Sequence, residues 1–304
     1  MEGLDLLILG AGWTATFLIP LLEQRKIAFA ATTTTGRPVA GHPTLPFRFD
    51  PASPDLPHAI AALPHARHIL ITFPLSGTGP SRLLVSTYEA THRGRAAQAV
   101  GSIPEVGAGG FRFIQLGSTG IWQGQQGQTA VGDGHWLTRH SSYDTANKRA
   151  VAEDELIAIG GCVLELSGLW GAARDPKNWV GRVAMSKEAV KGKKSLHLIH
   201  GVDVARAVAA VVASEKWEGS GKGQRWMLTD GFVYDWWSLL VGWAEGAEGG
   251  EGEVKPTEQA KWVFELMGEE DVRALPRSME QLGRCYDTRE FWLTFGLVPL
   301  RGRV

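Results

Sequence analysis

This chain of 304 residues has few cysteines, no excess of charge of either sign and no long hydrophobic run. Its two cysteines, Cys162 and Cys285, are too few for a disulfide scaffold, and neither has a second ligand at metal-binding spacing. The nine histidines also lack the paired spacing of a metalloprotease. We therefore expect buried thiols and no metal site. The 31 basic and 32 acidic residues nearly cancel, which argues against nucleic acid or an anionic membrane as a partner.

The longest apolar runs, such as Leu4–Leu9 and Ala205–Ala213, are well short of the roughly 20 residues that a membrane-spanning helix needs. The first run follows no basic segment and leads into a glycine turn rather than a cleavage site, so it does not resemble a signal peptide. With 44% hydrophobic residues the chain can bury a full core. We expect a globular cytoplasmic protein.

Strand-like segments alternate with helix-like stretches through the first half of the chain. The predicted strands are Leu4–Leu9, Ala28–Thr33, Phe47–Phe49, His68–Phe73, Phe111–Leu116 and Cys162–Ser167. Such alternation predicts an α/β fold, a Rossmann-like doubly wound parallel sheet. We predict a dinucleotide-binding domain over residues 1–170 and a smaller substrate-binding lobe over 171–304, with residues 197–243 returning to the sheet.

The segment Gly10–Ala15 reads Gly-Ala-Gly-Trp-Thr-Ala and directly follows the first strand. In a dinucleotide-binding turn, Gly10 allows the tight turn and Gly12 lets backbone N–H groups approach a pyrophosphate, while Ala15 permits close packing of the next helix. Trp13 and Thr14 lie within this turn. The helix that follows directs its positive end toward the phosphates.

Five segments in order resemble the extended and atypical short-chain dehydrogenases/reductases, the NAD-dependent epimerase/dehydratase group. The resemblance covers about residues 4–240 and rests on Gly10–Ala15, Phe49–Pro51, Leu116–Gly124, Leu166–Gly171 and Leu198–Ala205. It implies that Asp50 contacts an adenine and that Phe73 and Pro74 line the cofactor cleft. It also implies that Ser118 hydrogen-bonds a substrate carbonyl. Read without the resemblance, Asp50 is a turn residue and Ser118 belongs to a polar loop after a strand.

The end of the second predicted strand bears on the choice of cofactor. An acidic residue there commonly binds the ribose of NAD, whereas a basic residue accommodates the 2′-phosphate of NADP. Here the segment Thr32–Arg37 holds four threonines, including Thr34, and no acid. Because the Arg37 guanidinium offers several donors to a phosphate, we predict NADP rather than NAD. The alternative is that Arg37 is a solvated turn residue.

The proton-transfer residues depart from the family scheme of a tyrosine with a lysine four positions later. Tyr143 is followed at that distance by an asparagine, and Lys148 lies one position further. A second register aligns Arg149 with the family's downstream pattern but places Thr145 at the tyrosine position, and a threonine hydroxyl is a poor general acid. Arg149 could hold a ribose, or it could form a surface pair with Glu153.

A helix that begins at Thr145 with Asp144 as its N-cap would leave Tyr143 in the preceding loop, free of helical spacing. His135 and His140 are alternative proton carriers, although both are more simply surface residues.

Two hypotheses follow, with a weaker third. The first is an NADP-dependent oxidoreductase or epimerase acting on a small carbonyl or hydroxyl compound, with Ser118 polarising the carbonyl, Tyr143 moving the proton and Lys148 or Arg149 positioning the ribose. The second is a non-catalytic NADP-binding sensor. The third is an isomerase or lyase that retains NADP. The expected partner is a small molecule, with a homodimer as an open alternative.

Overall fold

The computed structural model describes residues 4–93, 110–123, 136–248 and 254–302. Its strands are β1 Leu4–Leu9, β2 Phe29–Thr33, β3 Leu45–Pro46, β4 Ala66–Ile71, β5 Arg112–Ser118, β6 Trp136–Leu137, β7 Cys162–Leu166, β8 Gly168–Trp170, β9 Ser195–Leu196, β10 Leu198–His200, β11 Arg225–Leu228, β12 Tyr234–Asp235, β13 Glu245–Glu248, β14 Val254–Pro256 and β15 Cys285–Tyr286. Its helices are α1 Ala15–Gln24, α2 Leu56–Ala61, α3 Pro80–His92, α4 Lys148–Ala158, α5 Val180–Val183, α6 Lys187–Lys191, α7 Gly201–Ala213, α8 Trp217–Ser220, α9 Trp236–Gly242, α10 Glu258–Glu269, α11 Met279–Leu282 and α12 Arg289–Thr294.

Seven strands form one parallel sheet in the order β11-β7-β5-β4-β1-β2-β3. In the central strand β1, Leu6 pairs with Phe29 of β2 on one side and with His68 of β4 on the other. The chain runs outward in both directions from β1, so a crevice opens between the carboxyl ends of β1 and β4. The predicted doubly wound parallel sheet is confirmed.

Helices cover both faces of this sheet because each carries one apolar side. In α1, Leu18, Ile19 and Leu22 are fully buried against the sheet together with residues of α7. Helices α2, α3 and α4 pack on the opposite face. The strands between these layers, such as β1, are apolar on both sides, which is typical of buried parallel strands.

The second half of the chain divides between the sheet and a separate cluster. Helix α7 packs on α1, and strand β11 joins the sheet edge. Helix α9 does not pack on the sheet, because its residues Trp237 and Leu240 pack against Val263 and Leu266 of α10. The boundary at residue 170 stays a prediction. Both cysteines are buried, and no helix in the described ranges is long and apolar enough to cross a bilayer.

The predicted strand Phe47–Phe49 is wrong in position. Strand β3 ends at Pro46, and its last residue pairs with Thr33, the last residue of β2. The Phe47 N–H still donates to the Thr33 carbonyl at 2.8 Å, but β2 offers no residue beyond it. Residues 47–49 therefore lie past the carboxyl edge of the sheet.

The contact between α1 and α7 makes Gly201 a test of the packing. A Cβ at Gly201 would lie 2.2 Å from the ring of Phe17 on α1. We expect Gly201→Ala to lower the free energy of unfolding by about 1–3 kcal/mol through overpacking. Gly268→Ala is the control, because Gly268 lies within α10 with no atom within 4 Å of its Cβ position. The control should gain about 0.5–1 kcal/mol in urea unfolding. Equal effects of both variants would contradict this packing.

Candidate functional site

The turn after β1 leaves no room for a side chain at Gly10. Gly10 has a φ of +88°, and a Cβ there would lie 2.8 Å from Thr72 Oγ1 and 3.0 Å from the Phe73 ring. The Thr72 hydroxyl donates to the Gly10 carbonyl, and the Gly10 N–H donates to Thr32 Oγ1 at 3.0 Å. Glycine is required here because the ends of β1, β2 and β4 meet at this residue.

Gly12 is not required by packing. A Cβ at Gly12 would have only the Gly10 carbonyl oxygen in reach, at 3.8 Å. Beyond it, the N–H groups of Trp13 and Thr14 have no partner among the described residues, whereas the Ala15 N–H donates to the Gly12 carbonyl. Unpartnered N–H groups in front of a helix N-terminus form a site for an anion. The bare backbone at Gly12 leaves that site open.

A pocket of about 390 Å³ opens beside this turn. It is lined by the glycine turn, the end of β2 and the segments that follow β3 and β4: Gly10, Ala11, Gly12, Thr33, Thr34, Arg37, Phe47, Arg48, Phe49 and Phe73. The structure therefore brings together five residues that the sequence predicts for cofactor binding, namely Gly10, Gly12, Thr34, Arg37 and Phe73. We call this space the turn pocket.

Two exposed arginines, Arg37 and Arg48, line the turn pocket, which has no acidic residue in its wall. Neither arginine forms an ion pair with any residue that the structure describes. Sequence analysis missed Arg48 because it assigned residues 47–49 to a strand. Its position directly after β3, at the carboxyl edge of a parallel sheet, is the signal that could have identified it.

Two aromatic rings separate the turn pocket from a second pocket of about 680 Å³. Phe49 and Phe73 line both pockets and stack with ring centroids 5.9 Å apart, and Pro74 lines the second. Asp50 is exposed, and its carboxylate accepts the Ala52 N–H at 3.0 Å, as expected of a turn residue. The contact between Asp50 and an adenine stays a prediction.

Ser118 lies at the carboxyl end of β5 and caps the short 3-10 helix Thr119–Trp122. Its Oγ accepts the Gly120 N–H at 3.2 Å, and its own N–H donates to Glu165 Oε2 at 2.6 Å. The adjacent Thr119 carbonyl accepts the Tyr286 hydroxyl at 3.1 Å. The Ser118 backbone is thus held from both sides, while its hydroxyl proton has no acceptor within the described residues.

Tyr143 is engaged with a charged pair at the edge of the sheet. Its hydroxyl donates to Asp154 Oδ1 at 2.6 Å, and the Arg225 guanidinium lies 4.4 Å from its ring centroid. Trp122 packs edge-on against the same ring. Burial, followed by the hydrogen bond to Asp154, raises the pKa of Tyr143. The phenol holds its proton more firmly than a free tyrosine does.

The helix does not begin at Thr145 with Asp144 as N-cap, the arrangement considered above as one that would free Tyr143 from helical spacing. Helix α4 begins at Lys148, and the Asn147 side chain caps it by accepting the Arg149 N–H at 3.0 Å. The Asp144 carboxylate is already used in the preceding turn, where it accepts a backbone N–H at 2.9 Å. Tyr143 nevertheless lies in the loop before the helix.

The other proposed catalytic residues lie around the start of α4. Thr145 and Lys148 are exposed, and the Lys148 carbonyl accepts the Gly77 N–H from the loop after β4 at 2.7 Å. Arg149 Nε lies 3.8 Å from Glu153 Oε1 at the expected helical spacing, but Glu153 is fully buried and the two do not form a surface pair. The roles of Lys148 and Arg149 stay predictions.

The alternative proton carriers have surface or undescribed positions. His140 is exposed and lies 3.1 Å from Glu290, which also pairs with Arg139. His135 and Gly124 lie outside the described residues. No group of three or more histidine, cysteine or acidic side chains in the described ranges is arranged to hold a metal ion.

Two glutamates are fully buried: Glu165, which contacts Ser118, was missed by sequence analysis, and Glu153 was expected at the surface. Glu165 accepts from Arg225 Nε at 2.8 Å, whereas the Glu153 carboxyl faces Glu165 and its oxygens lie 3.8 Å from the nearest arginine nitrogens. Burial, followed by the neighbouring Glu165 charge, raises the pKa of Glu153 to about 9. Burial raises the pKa of Glu165 to about 7. An acidic residue within the apolar strand Cys162–Leu166 was the available signal.

Trp13 extends from the glycine turn toward the second half of the chain. Its indole N–H donates to the Gly171 carbonyl, in the loop after β8, at 3.2 Å. Thr14 is buried and its side chain makes no capping hydrogen bond within the described part of the chain. The glycine turn therefore contacts the loop that leads out of the sheet.

Comparison with solved structures shows which fold this is. MoeE5 in complex with UDP-glucuronic acid and NAD is 14% identical over 98% of this chain and 94% of its own, with a TM-score of 0.58. Vestitone reductase from alfalfa is 16% identical over 98% and 93%, with a TM-score of 0.56. UDP-glucose 4-epimerase from Thermotoga maritima is 14% identical over 98% and 94%, with a TM-score of 0.54. No protein-family model and no curated protein matches the sequence. The chain has the fold of the epimerase/dehydratase and reductase structures.

The buried glutamates predict an unusual dependence of stability on pH. A glutamate in the unfolded chain titrates near pH 4.3. Because the pKa of Glu153 is raised in the folded protein, the folded state binds more protons than the unfolded state above that pH. The contribution of Glu153 to the free energy of unfolding should then fall as pH rises from about 4.3 toward 9, and Glu153→Gln should remove that part of the pH dependence. Urea unfolding at about pH 6 and about pH 8.5 measures the slope. The exposed Glu218→Gln is the control, and a Glu153→Gln slope equal to that of the wild type would contradict a protonated Glu153.

Proposed function

We propose that this chain, which has the fold of the extended short-chain dehydrogenases/reductases, is an NADP-dependent oxidoreductase or epimerase acting on a small carbonyl or hydroxyl compound. The observation that carries the proposal is the turn pocket. There a glycine turn, two aromatic rings and two arginines face one space. Within the described residues, the N–H groups of Trp13 and Thr14 and the side chains of both arginines lack partners. These are the groups that a phosphorylated dinucleotide needs.

Different groups around the turn pocket match different parts of such a cofactor. The N–H groups of Trp13 and Thr14, at the start of α1, would bind the pyrophosphate. Phe49 and Phe73 offer ring surface for the adenine. MoeE5, which shares this fold, is a complex with NAD, and that ligand supports a nicotinamide dinucleotide here.

The charge of the turn pocket favours NADP over NAD. A ribose 2′-hydroxyl is commonly held by a carboxylate at the end of β2, and here the lining residues at that place are Thr33, Thr34 and Arg37. Arg48 adds a second guanidinium from the segment after β3. Two planar cations in a wall without acidic residues suit a dianionic 2′-phosphate.

The substrate-facing chemistry is proposed for Ser118. A hydroxyl has one donor, and the Ser118 Oγ already accepts from Gly120, so its proton is available for a substrate oxygen. The hydrogen bond from its N–H to Glu165 fixes the residue before a substrate arrives. Bound NADPH supplies a hydride, and Ser118 would stabilise the negative charge on the carbonyl oxygen.

The proposal assigns proton transfer to Tyr143 and the ribose contact to Lys148 or Arg149. To deliver its proton, the Tyr143 hydroxyl must break its hydrogen bond to Asp154 and form one to the substrate oxygen. The Arg225 guanidinium beside the ring favours the phenolate that results. Thr145 lacks an accessible pKa and could only hydrogen-bond.

A second candidate function is a non-catalytic NADP sensor. The observation that favours it is the engagement of Tyr143 with Asp154 at 2.6 Å together with the exposed Lys148. A protein of this kind would bind the nucleotide through the same turn pocket and turn over nothing.

Titration with NADPH and NADH, followed by nicotinamide fluorescence, tests the cofactor assignment. NADPH should bind more tightly, and Arg37→Gln and Arg48→Gln should each weaken NADPH about tenfold while leaving NADH unchanged, since each removes one charge-assisted contact. Arg67→Gln, an exposed arginine near the amino end of β4, is the control. Failure of the wild type to bind either nucleotide would refute the proposal.

Turnover of a panel of small aldehydes and ketones with NADPH separates the two candidate functions. We expect Ser118→Ala to lower kcat/KM by about 100-fold or more with unchanged NADPH binding. Tyr143→Phe should abolish turnover if Tyr143 moves the proton, and Tyr88→Phe is its control because that hydroxyl donates to the distant Pro64 carbonyl. Unaffected turnover in Tyr143→Phe would remove Tyr143 from the mechanism. A wild type that binds NADPH and turns over no compound favours the sensor.

A further inference from the structure

The loop that follows β8 is built against the glycine turn. The Gly171 carbonyl accepts the Trp13 indole N–H at 3.2 Å, and Gly171 and Arg174 exchange two backbone hydrogen bonds of 2.8 and 3.0 Å. Gly171 has a φ of +111°, and a Cβ there would lie 2.3 Å from His200 Nε2. One hydrogen bond therefore ties this loop to Trp13, and two hydrogen bonds close the loop on itself.

Arg174 lies on the Trp13 side chain. Its guanidinium carbon is 4.5 Å from the indole centroid, and the indole is itself held edge-on by Phe17 with centroids 5.0 Å apart. Arg174 is exposed and forms no ion pair within the described residues. The nearest acid in sequence, Asp175, is occupied as an N-cap that accepts the Lys177 N–H at 2.9 Å.

Stacking leaves the donors of Arg174 available. A guanidinium that stacks on an indole uses its flat face, whereas its five N–H bonds point outward in its plane. The indole beneath it belongs to the residue whose own backbone N–H, at the mouth of the glycine turn, has no partner in the described part of the chain. One residue thus supplies both a backbone donor and the platform for a cation.

We propose that Arg174 is a positioning residue that binds the pyrophosphate of the dinucleotide from the side opposite the glycine turn, with Trp13 as its platform. This inference rests on the proposed function. The N–H groups of Trp13 and Thr14 carry only partial charges, so they leave part of the pyrophosphate charge unneutralised. Arg174 supplies a full positive charge for it. Arg37 and Arg48 serve the 2′-phosphate, so the pyrophosphate and the 2′-phosphate have separate cations.

Binding of cofactor fragments separates these cations. NADPH carries both a pyrophosphate and a 2′-phosphate, ADP-ribose carries only the pyrophosphate, and 2′-AMP carries only the 2′-phosphate. We expect Arg174→Gln to weaken NADPH and ADP-ribose about tenfold and to leave 2′-AMP unchanged. Arg37→Gln should weaken NADPH and 2′-AMP and leave ADP-ribose unchanged. Calorimetric titration of the full chain measures all of these affinities.

Two further variants test the platform. Trp13→Leu should reproduce the pattern of Arg174→Gln, because the guanidinium then lacks its stacking surface, and Arg174→Lys should recover only part of the affinity. The control is Arg182→Gln, an exposed arginine of α5. A purely structural Arg174 would change all three ligands equally or none.

The outcomes distinguish the inference from the proposal beneath it. Wild-type affinity of Arg174→Gln for NADPH and ADP-ribose would overturn the inference and leave the proposed function intact. Failure of the wild type to bind any of the three ligands would refute both.

Discussion

The site depends on the absence of a side chain at Gly10. The carboxyl ends of β1, β2 and β4 converge there, close enough that Thr72 and Phe73 occupy the space a Cβ would need. This convergence places the Phe73 ring against Gly10 and brings the end of β2 within hydrogen-bonding distance through Thr32. Any separation of these strand ends would widen the turn pocket and move every group that faces it. The chemistry of the pocket is therefore a result of close backbone packing.

Where the sequence carried a strong local pattern, it predicted the fold well. The bounds of β1 were predicted because six nearly uniform apolar residues end at a glycine turn. The third strand was misplaced because pairing depends on where its partner ends, and β2 stops at Thr33. The start of α4 could not be fixed from sequence because Asp144 and Asn147 are both good cap residues, and only the geometry of the preceding turn decides between them.

The site was predictable to the extent that it lies near the glycine motif. Thr34 and Arg37 follow the next strand and could be assigned from strand order alone. Identifying Arg48 required the correct end of β3, and identifying Glu153 as buried required the packing of α4 against β7. The contact between Trp13 and Gly171 joins residues 158 positions apart, and no local pattern encodes it. Short-range rules identify the motif, and long-range packing decides what faces it.

That separation has a consequence for synthesis on the ribosome. At about 5–20 residues per second, the partner of Trp13 leaves the ribosome on the order of ten seconds after the glycine turn. Through that interval β1 and α1 have been synthesised, but the loop after β8, which contacts Trp13, has not. Under the proposed function, a nucleotide bound by both the glycine turn and Arg174 could not act as an early template for folding. It would bind only molecules in which the loop after β8 has already packed against Trp13.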